Sequence, residues 1–223
     1  MNYKAIIFDF DYTLADATEG IVKCFNYAFE KMGFPQQDTE VIRNTVGMTI
    51  ANAFTLMTGC DDESVINKLR SHFKVLADKI MAESTKLLFH TKILLYNLKY
   101  DGVRTGIVTS KLRCRINDTL IKENLQDYIN IIIGFDDVEC PKPSPEGLLK
   151  AIEILNIPKE QVLYVGDNII DAETAERANV DFVGVLTGTT TKSEFQIYSH
   201  KKIVKDLAVL EIFINNIKKV VEI

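Results

Sequence analysis

The stretch Ala5-Ile6-Ile7-Phe8-Asp9-Phe10-Asp11-Tyr12-Thr13 holds the first apolar run of the chain and ends in two aspartates one residue apart. A short apolar run closed by polar residues reads as a strand buried on both faces, the signature of a parallel sheet. Asp9 and Asp11 then stand where the chain leaves that sheet. Ligands of open α/β sheets bind outside the carboxyl ends of the strands. Side chains at i and i+2 share a face while the chain stays extended. Two carboxylates so close repel each other, and burying them unpaired is costly. A cation, a shared proton or a phosphate-handling site would offset that cost. Taken alone, the pair fits a turn equally well, because Asp is common at turns and helix N-caps.

After this strand the pattern is helical for about seventy residues. Ile21, Cys24, Phe25, Ala28, Phe29 and Met32 recur at helical spacing until Gly33. Shorter helical pieces are expected over 38–45 and 49–58, and a longer one over 61–82. The block reads as a helical insertion, residues 16–84. From residue 91 helix and strand alternate: helix 91–100, strand 103–109, helix 112–123, strand 129–133, helix 144–155, strand 161–165, helix 171–178 and strand 180–185. A short strand near Ile203 and a helix from Asp206 close the chain. Short apolar strands alternating with helices predict an α/β fold, a three-layer, Rossmann-like parallel sheet. The expected organisation is an α/β core domain of residues 1–15 and 85–223, with an all-helical cap domain at 16–84.

Composition narrows the class. Of the 223 residues, 47% are hydrophobic and 26% charged, and the net charge is −5. That is an ordinary globular balance with no basic footprint for nucleic acid or anionic membrane. No apolar run approaches a bilayer span, and no signal peptide is read at the start. Cys24, Cys60, Cys114 and Cys140 lie far apart, without zinc spacing or a disulfide framework. Reduced thiols in a cytoplasmic protein are expected. His72, His90 and His200 read as surface or packing residues.

Three more polar groups follow apolar strands. Thr109 and Ser110 end the run Gly106-Ile107-Val108, and small hydroxyls with adjacent backbone N–H groups can bind an anionic oxygen. A helix N-cap is the alternative there. Lys142 sits in Cys140-Pro141-Lys142-Pro143, where flanking prolines restrain the backbone on both sides of it. Gly166-Asp167-Asn168-Ile169-Ile170-Asp171 follows the strand of Val162–Val165 and supplies two further carboxylates. Hard oxygen ligands in small number, completed by water and phosphate, suit Mg²⁺.

The order Asp-x-Asp-x-Thr, Thr/Ser, Lys-Pro, Gly-Asp-x-x-x-Asp resembles the haloacid dehalogenase (HAD) superfamily over essentially the whole chain. The match is to its phosphatase branch with a small helical cap after the first strand, as in phosphoglycolate phosphatase-like members. Tyr12 departs from the pattern, where Gly is more usual. The resemblance implies hydrolysis of a small soluble phosphomonoester through an aspartyl-phosphate, phosphoglycolate being one substrate of that kind. Asp9 is then the nucleophile. Asp11 is the general acid and base. Thr109, Ser110 and Lys142 bind phosphate. Mg²⁺ is held by Asp9, Asp11 through its backbone carbonyl, and Asp167, with Asp171 in support. Thr13 braces the loop through a hydroxyl–backbone bond, Ser110 and Lys111 support the site, and the cap closes over it. A monomer or homodimer is expected, with no nucleic-acid or membrane partner.

A phosphomutase, pyrophosphatase or nucleotidase on the same fold keeps every motif. A dehalogenase needs neither metal nor an acid at Asp11. A receiver-type phospho-acceptor domain shares the Asp, Thr and Lys inventory but carries its phosphorylated Asp on a later strand. A non-catalytic binding protein on this fold would not require the full set.

Overall fold

The computed structural model describes residues 3–221, with side chains through residue 217. In chain order the first elements are β1 (Ala5–Phe8), β2 (Ala15–Asp16), α1 (Thr18–Met32), α2 (Thr39–Arg43), α3 (Ile50–Thr58), α4 (Glu63–Ser84) and β3 (Lys86–Leu87). There follow α5 (Thr91–Tyr100), β4 (Arg104–Val108), α6 (Arg113–Glu123), β5 (Ile131–Ile133), α7 (Glu146–Leu155) and β6 (Val162–Gly166). The chain ends with α8 (Ile169–Ala178), β7 (Asp181–Val185), α9 (Lys192–Phe195), β8 (Lys202–Val204) and α10 (Leu207–Val221). Two compact units result: Met1–Ala15 with Leu87–Ile223, and Asp16–Lys86. The short strands β2 and β3, at the boundary, pair with each other.

In the first unit six strands form one sheet in the order β5-β4-β1-β6-β7-β8, and its pairings are parallel. The opening strand is therefore central. Phe8 lies opposite Ile107 on one side and Val165 on the other. The strand order reverses at β1, and this topological switch point is where open α/β sheets leave a crevice.

Side chains along each strand serve the two faces alternately. Ile6, Phe8, Leu163 and Val165 pack with Leu94 and Leu98 of α5, Ile116 and Leu120 of α6, and Leu207 and Leu210 of α10. Ala5, Ile7, Val162 and Tyr164 face Leu148 and Ile152 of α7, Ala172 and Ala175 of α8, and Phe195 of α9. Two apolar faces, each covered by helices, make the three-layer Rossmann-like architecture. The second unit has its own core. Phe25 and Phe29 of α1 meet Phe54 of α3 edge-on, with ring centroids 4.7 and 5.5 Å apart, and Phe73 of α4 packs on Phe25 at 4.9 Å.

Boundaries differ from expectation for local reasons. The helix expected from 144 starts at Glu146, because Pro145 occupies its N-cap. The helix expected from 171 starts at Ile169, with Asn168 and Asp171 forming a reciprocal capping box. The strand expected from 129 starts at Ile131, and Asn130 receives the Thr105 N–H on its side chain. The short α9 was not expected, although Thr191 and Glu194 form a capping box at its start. Among the described residues no helix is long and apolar enough to cross a membrane. The four cysteines are free. His90 pairs with Glu211, and His200 hydrogen-bonds the Tyr198 carbonyl.

Candidate active site

The switch point gathers the polar residues that follow the strands. The Asp9 N–H donates to the Val165 carbonyl at 2.8 Å, and the Thr109 N–H donates to Ile133 at 3.0 Å. Both thereby extend the sheet ladder one residue beyond the strands, and both side chains are buried. Beyond Asp9 the chain turns sharply. Tyr12 adopts a left-handed φ of 59°. Two contacts hold it there: its N–H donates to the Ala15 carbonyl, and its carbonyl accepts the Thr187 hydroxyl.

Oxygen atoms of Asp9, Asp167 and Asp171 lie within 4.8 Å of one another, and all three residues are buried. Lys142 sits among them. Its ammonium donates to Asp171 Oδ1 at 2.6 Å and to the Tyr164 hydroxyl at 3.3 Å, and stands 2.9 Å from Asp9 Oδ1. The approach to Asp9 is an ion pair outside hydrogen-bond geometry, so Asp9 Oδ1 has no hydrogen bond. The only other such buried side-chain atom among the described residues is Ser110 Oγ.

Two glycines permit this crowding. A Cβ on Gly166 would stand 2.4 Å from the Asp171 Cβ, and one on Gly188 would stand 2.0 Å from Asp167 Oδ2. Either would force the carboxylate to move.

Charge balance in the cluster is unfavourable to ionised carboxylates. Burial pushes the Asp167 carboxyl well above the usual range, Asp171 and Asp9 add to the rise, and the Thr13 hydroxyl and Lys142 oppose it. Burial likewise raises Asp171, to about 6, against the pull of Lys142. Burial alone would lower the Lys142 ammonium, but Asp171 and Asp9 outweigh it and raise it well above the ordinary lysine value. Three carboxylates around one ammonium favour proton uptake or a cation.

The hydrogen bonds separate the three acids. Asp171 is engaged on both oxygens: Oδ1 by Lys142 and Tyr164, and Oδ2 by the Asn168 N–H at 3.1 Å. Asp167 Oδ1 accepts the Thr13 hydroxyl at 3.0 Å. Thr13 therefore reaches a carboxylate, not the backbone bond expected of it. Asp9 is left as the acid with an unsatisfied oxygen. The donor set suits a hard cation at Asp9 and Asp167, with Asp171 turned toward Lys142.

Asp11 lies outside the carboxylate cluster. Lys111 donates to both of its oxygens, at 2.8 and 2.9 Å, and lies 5.7 Å from the centre of the Phe10 ring. The Lys111 N–H donates to Thr109 Oγ1 at 3.3 Å.

Sequence reasoning missed Tyr164, Thr187 and Gly188 as parts of this site. Tyr164 reads as one more apolar residue of a buried strand. Thr187 and Gly188 carry a usable signal, since Thr187-Gly188-Thr189-Thr190 follows a strand just as the recognised segments do.

Aspartates and a lysine gathered at the switch point of a parallel sheet suit the handling of an anionic group with the help of a cation. A family model for haloacid dehalogenase-like hydrolases matches residues 6–185, and the chain belongs to that family. A provisionally assigned haloacid dehalogenase-like hydrolase from Bacteroides fragilis superposes with a TM-score of 0.91 at 41% identity, covering 94% of this chain and 100% of that one. A protein of Caldanaerobacter subterraneus, provisionally named pyrophosphatase PpaX, is 32% identical over 186 residues, 83% of this chain and 82% of that one. A provisionally assigned phosphoglycolate phosphatase from Lactobacillus delbrueckii superposes with a TM-score of 0.83 at 26% identity, covering 96% and 99%.

Proposed function

We propose that this chain is a Mg²⁺-dependent phosphatase that hydrolyses a small phosphomonoester through an aspartyl-phosphate on Asp9. One observation carries the reading: three buried carboxylates surround one ammonium, and the Asp9 oxygen beside it has no hydrogen bond. A buried anion left in that state calls for an electropositive visitor. The names of the relatives support the phosphate class. Asp9 and Asp167 are the residues to hold Mg²⁺, with the Asp11 backbone carbonyl as a further ligand by family resemblance. When bound, the ion supplies positive charge that screens an attacking carboxylate from an anionic phosphoryl group.

In the first step an Asp9 oxygen bonds to phosphorus while the bond from phosphorus to the leaving oxygen breaks. Asp11 gives its proton to that oxygen. In the second step water attacks phosphorus, Asp11 takes the proton, and the Asp9–phosphorus bond breaks, restoring both carboxyl groups. Lys142, Thr109 and Ser110 stabilise the phosphoryl oxygens, and Ser110 Oγ is without another hydrogen-bond partner. Lys111 pairs with both Asp11 oxygens in the resting site, and Asp11 must leave that pair to carry a proton.

The PpaX relative favours one second reading, hydrolysis of a phosphoanhydride such as pyrophosphate by the same residues. Purified protein tested on p-nitrophenyl phosphate, phosphoglycolate, sugar phosphates and pyrophosphate separates the two. Turnover lost in EDTA, restored by Mg²⁺ and absent in Asp9→Asn is the expected result. Full activity in EDTA, or in Asp9→Asn, would overturn the proposal.

A further inference from the structure

The ammonium of Lys142 has three N–H groups and no freedom to leave the cluster, since its side chain is only 5% exposed. A hydrogen bond to Asp171 Oδ1 sets the rotation of the ammonium about its Cε–Nζ bond. A second, longer bond to the Tyr164 hydroxyl, at 3.3 Å, holds it in that rotation. Two N–H groups are thereby committed and the third stays uncommitted, with Asp9 Oδ1 2.9 Å from Nζ as an ion pair outside hydrogen-bond geometry. Tyr164 can play this part because it is fully buried on β6, beside β1. Its hydroxyl lies 3.0 Å from Asp171 Oδ1 and 3.2 Å from the Val108 carbonyl at the end of β4. The phenol has a single proton to give to those two acceptors. Its oxygen lone pairs stay available to Lys142.

We propose that Tyr164 is a positioning residue, whose hydroxyl helps hold the Lys142 ammonium beside Asp9 with its third N–H left for a phosphoryl oxygen bound there. This rests on the phosphatase reading above. It assigns a role to a strand residue outside the four recognised motifs, and it makes Asp171 a partner of Lys142 more than a ligand of the cation.

The test is Tyr164→Phe, which keeps the ring and removes the hydroxyl, with Tyr164→Leu as the second variant should Phe fail to fold. Titration of the Mg²⁺-loaded proteins with inorganic phosphate should show binding about tenfold weaker in the variant, the scale of one hydrogen bond to a charged group. The kcat/KM for p-nitrophenyl phosphate should fall by a similar factor, and Mg²⁺ affinity should stay within about twofold of wild type. A purely structural tyrosine would lower Tm and leave phosphate affinity alone. Unchanged phosphate affinity in a folded variant overturns the inference, whatever its Tm. Wild-type protein that binds phosphate yet releases no nitrophenol overturns the phosphatase reading instead, and the affinity comparison still decides the role of Tyr164.

Discussion

Replacing Lys142 by Met isolates what the buried ammonium does for the fold. Lys142 lies 2.9 Å from Asp9 and 2.6 Å from Asp171, with side chains 5% and 1% exposed. Solvent screening is therefore slight. Removing one partner of a buried ion pair costs about 3–5 kcal/mol, because the other charge is left uncompensated. For a chain of this size about 1 kcal/mol moves Tm by roughly 2–4 °C, so Lys142→Met should melt roughly 6–20 °C below wild type in EDTA.

The loss should depend on pH in a defined direction. The Asp171 carboxyl is raised from its usual value to about 6 in the folded protein. Its contribution to stability is therefore present below the unfolded value near 3.8 and is lost as pH rises through about 6. Without Lys142 the Asp171 carboxyl holds its proton more strongly still, so the gap between variant and wild type should widen from pH 5 to pH 8. Lys142 itself stays charged across that window, its pKa being raised. Thermal melts in EDTA at half-unit pH steps supply the measurement. A variant within 2 °C of wild type at pH 8 would refute the premise that the ammonium compensates the aspartates.

Two other substitutions probe the cluster. Gly188→Ala would bring a Cβ to 2.0 Å from Asp167 Oδ2, so the Mg²⁺ concentration for half-maximal activity should rise at least about tenfold; an unchanged midpoint would show that the loop yields and Asp167 stays. Asp9→Asn removes the proposed nucleophile from a site where its carboxylate is crowded by two others, so turnover should vanish while the metal-free Tm holds or rises; a large fall in Tm would point to a structural role for the charge.

Much of this was legible in the sequence because strand ends are conspicuous. Each of Asp9, Thr109 and Asp167 follows an apolar run directly, so alternation alone ranges them along one rim of a parallel sheet. Lys142 was visible through its prolines. Hydrogen-bond partners were not legible, since they depend on atoms brought together over long separations. Thr13 to Asp167 and Thr187 to the Tyr12 carbonyl are of this kind. Tyr12 shows the limit well. Its sequence context indicates only a departure from Gly, whereas its left-handed backbone is held by Thr187, far along the chain. Tyr164 was hidden for the opposite reason: its ring follows the apolar pattern, and the pattern is blind to the one hydroxyl at its tip.

The two ladder bonds that run past the strands, from Asp9 to Val165 and from Thr109 to Ile133, turn the sheet into a ruler. Neighbouring strands lie about 4.8 Å apart whatever their side chains. Asp9 leaves the middle strand of three, Thr109 the one beside it and Asp167 the one on the far side. The backbone spacing of these three candidate site residues is thus a metric constant of β-structure, and substitutions within the strands can tune packing without rescaling it.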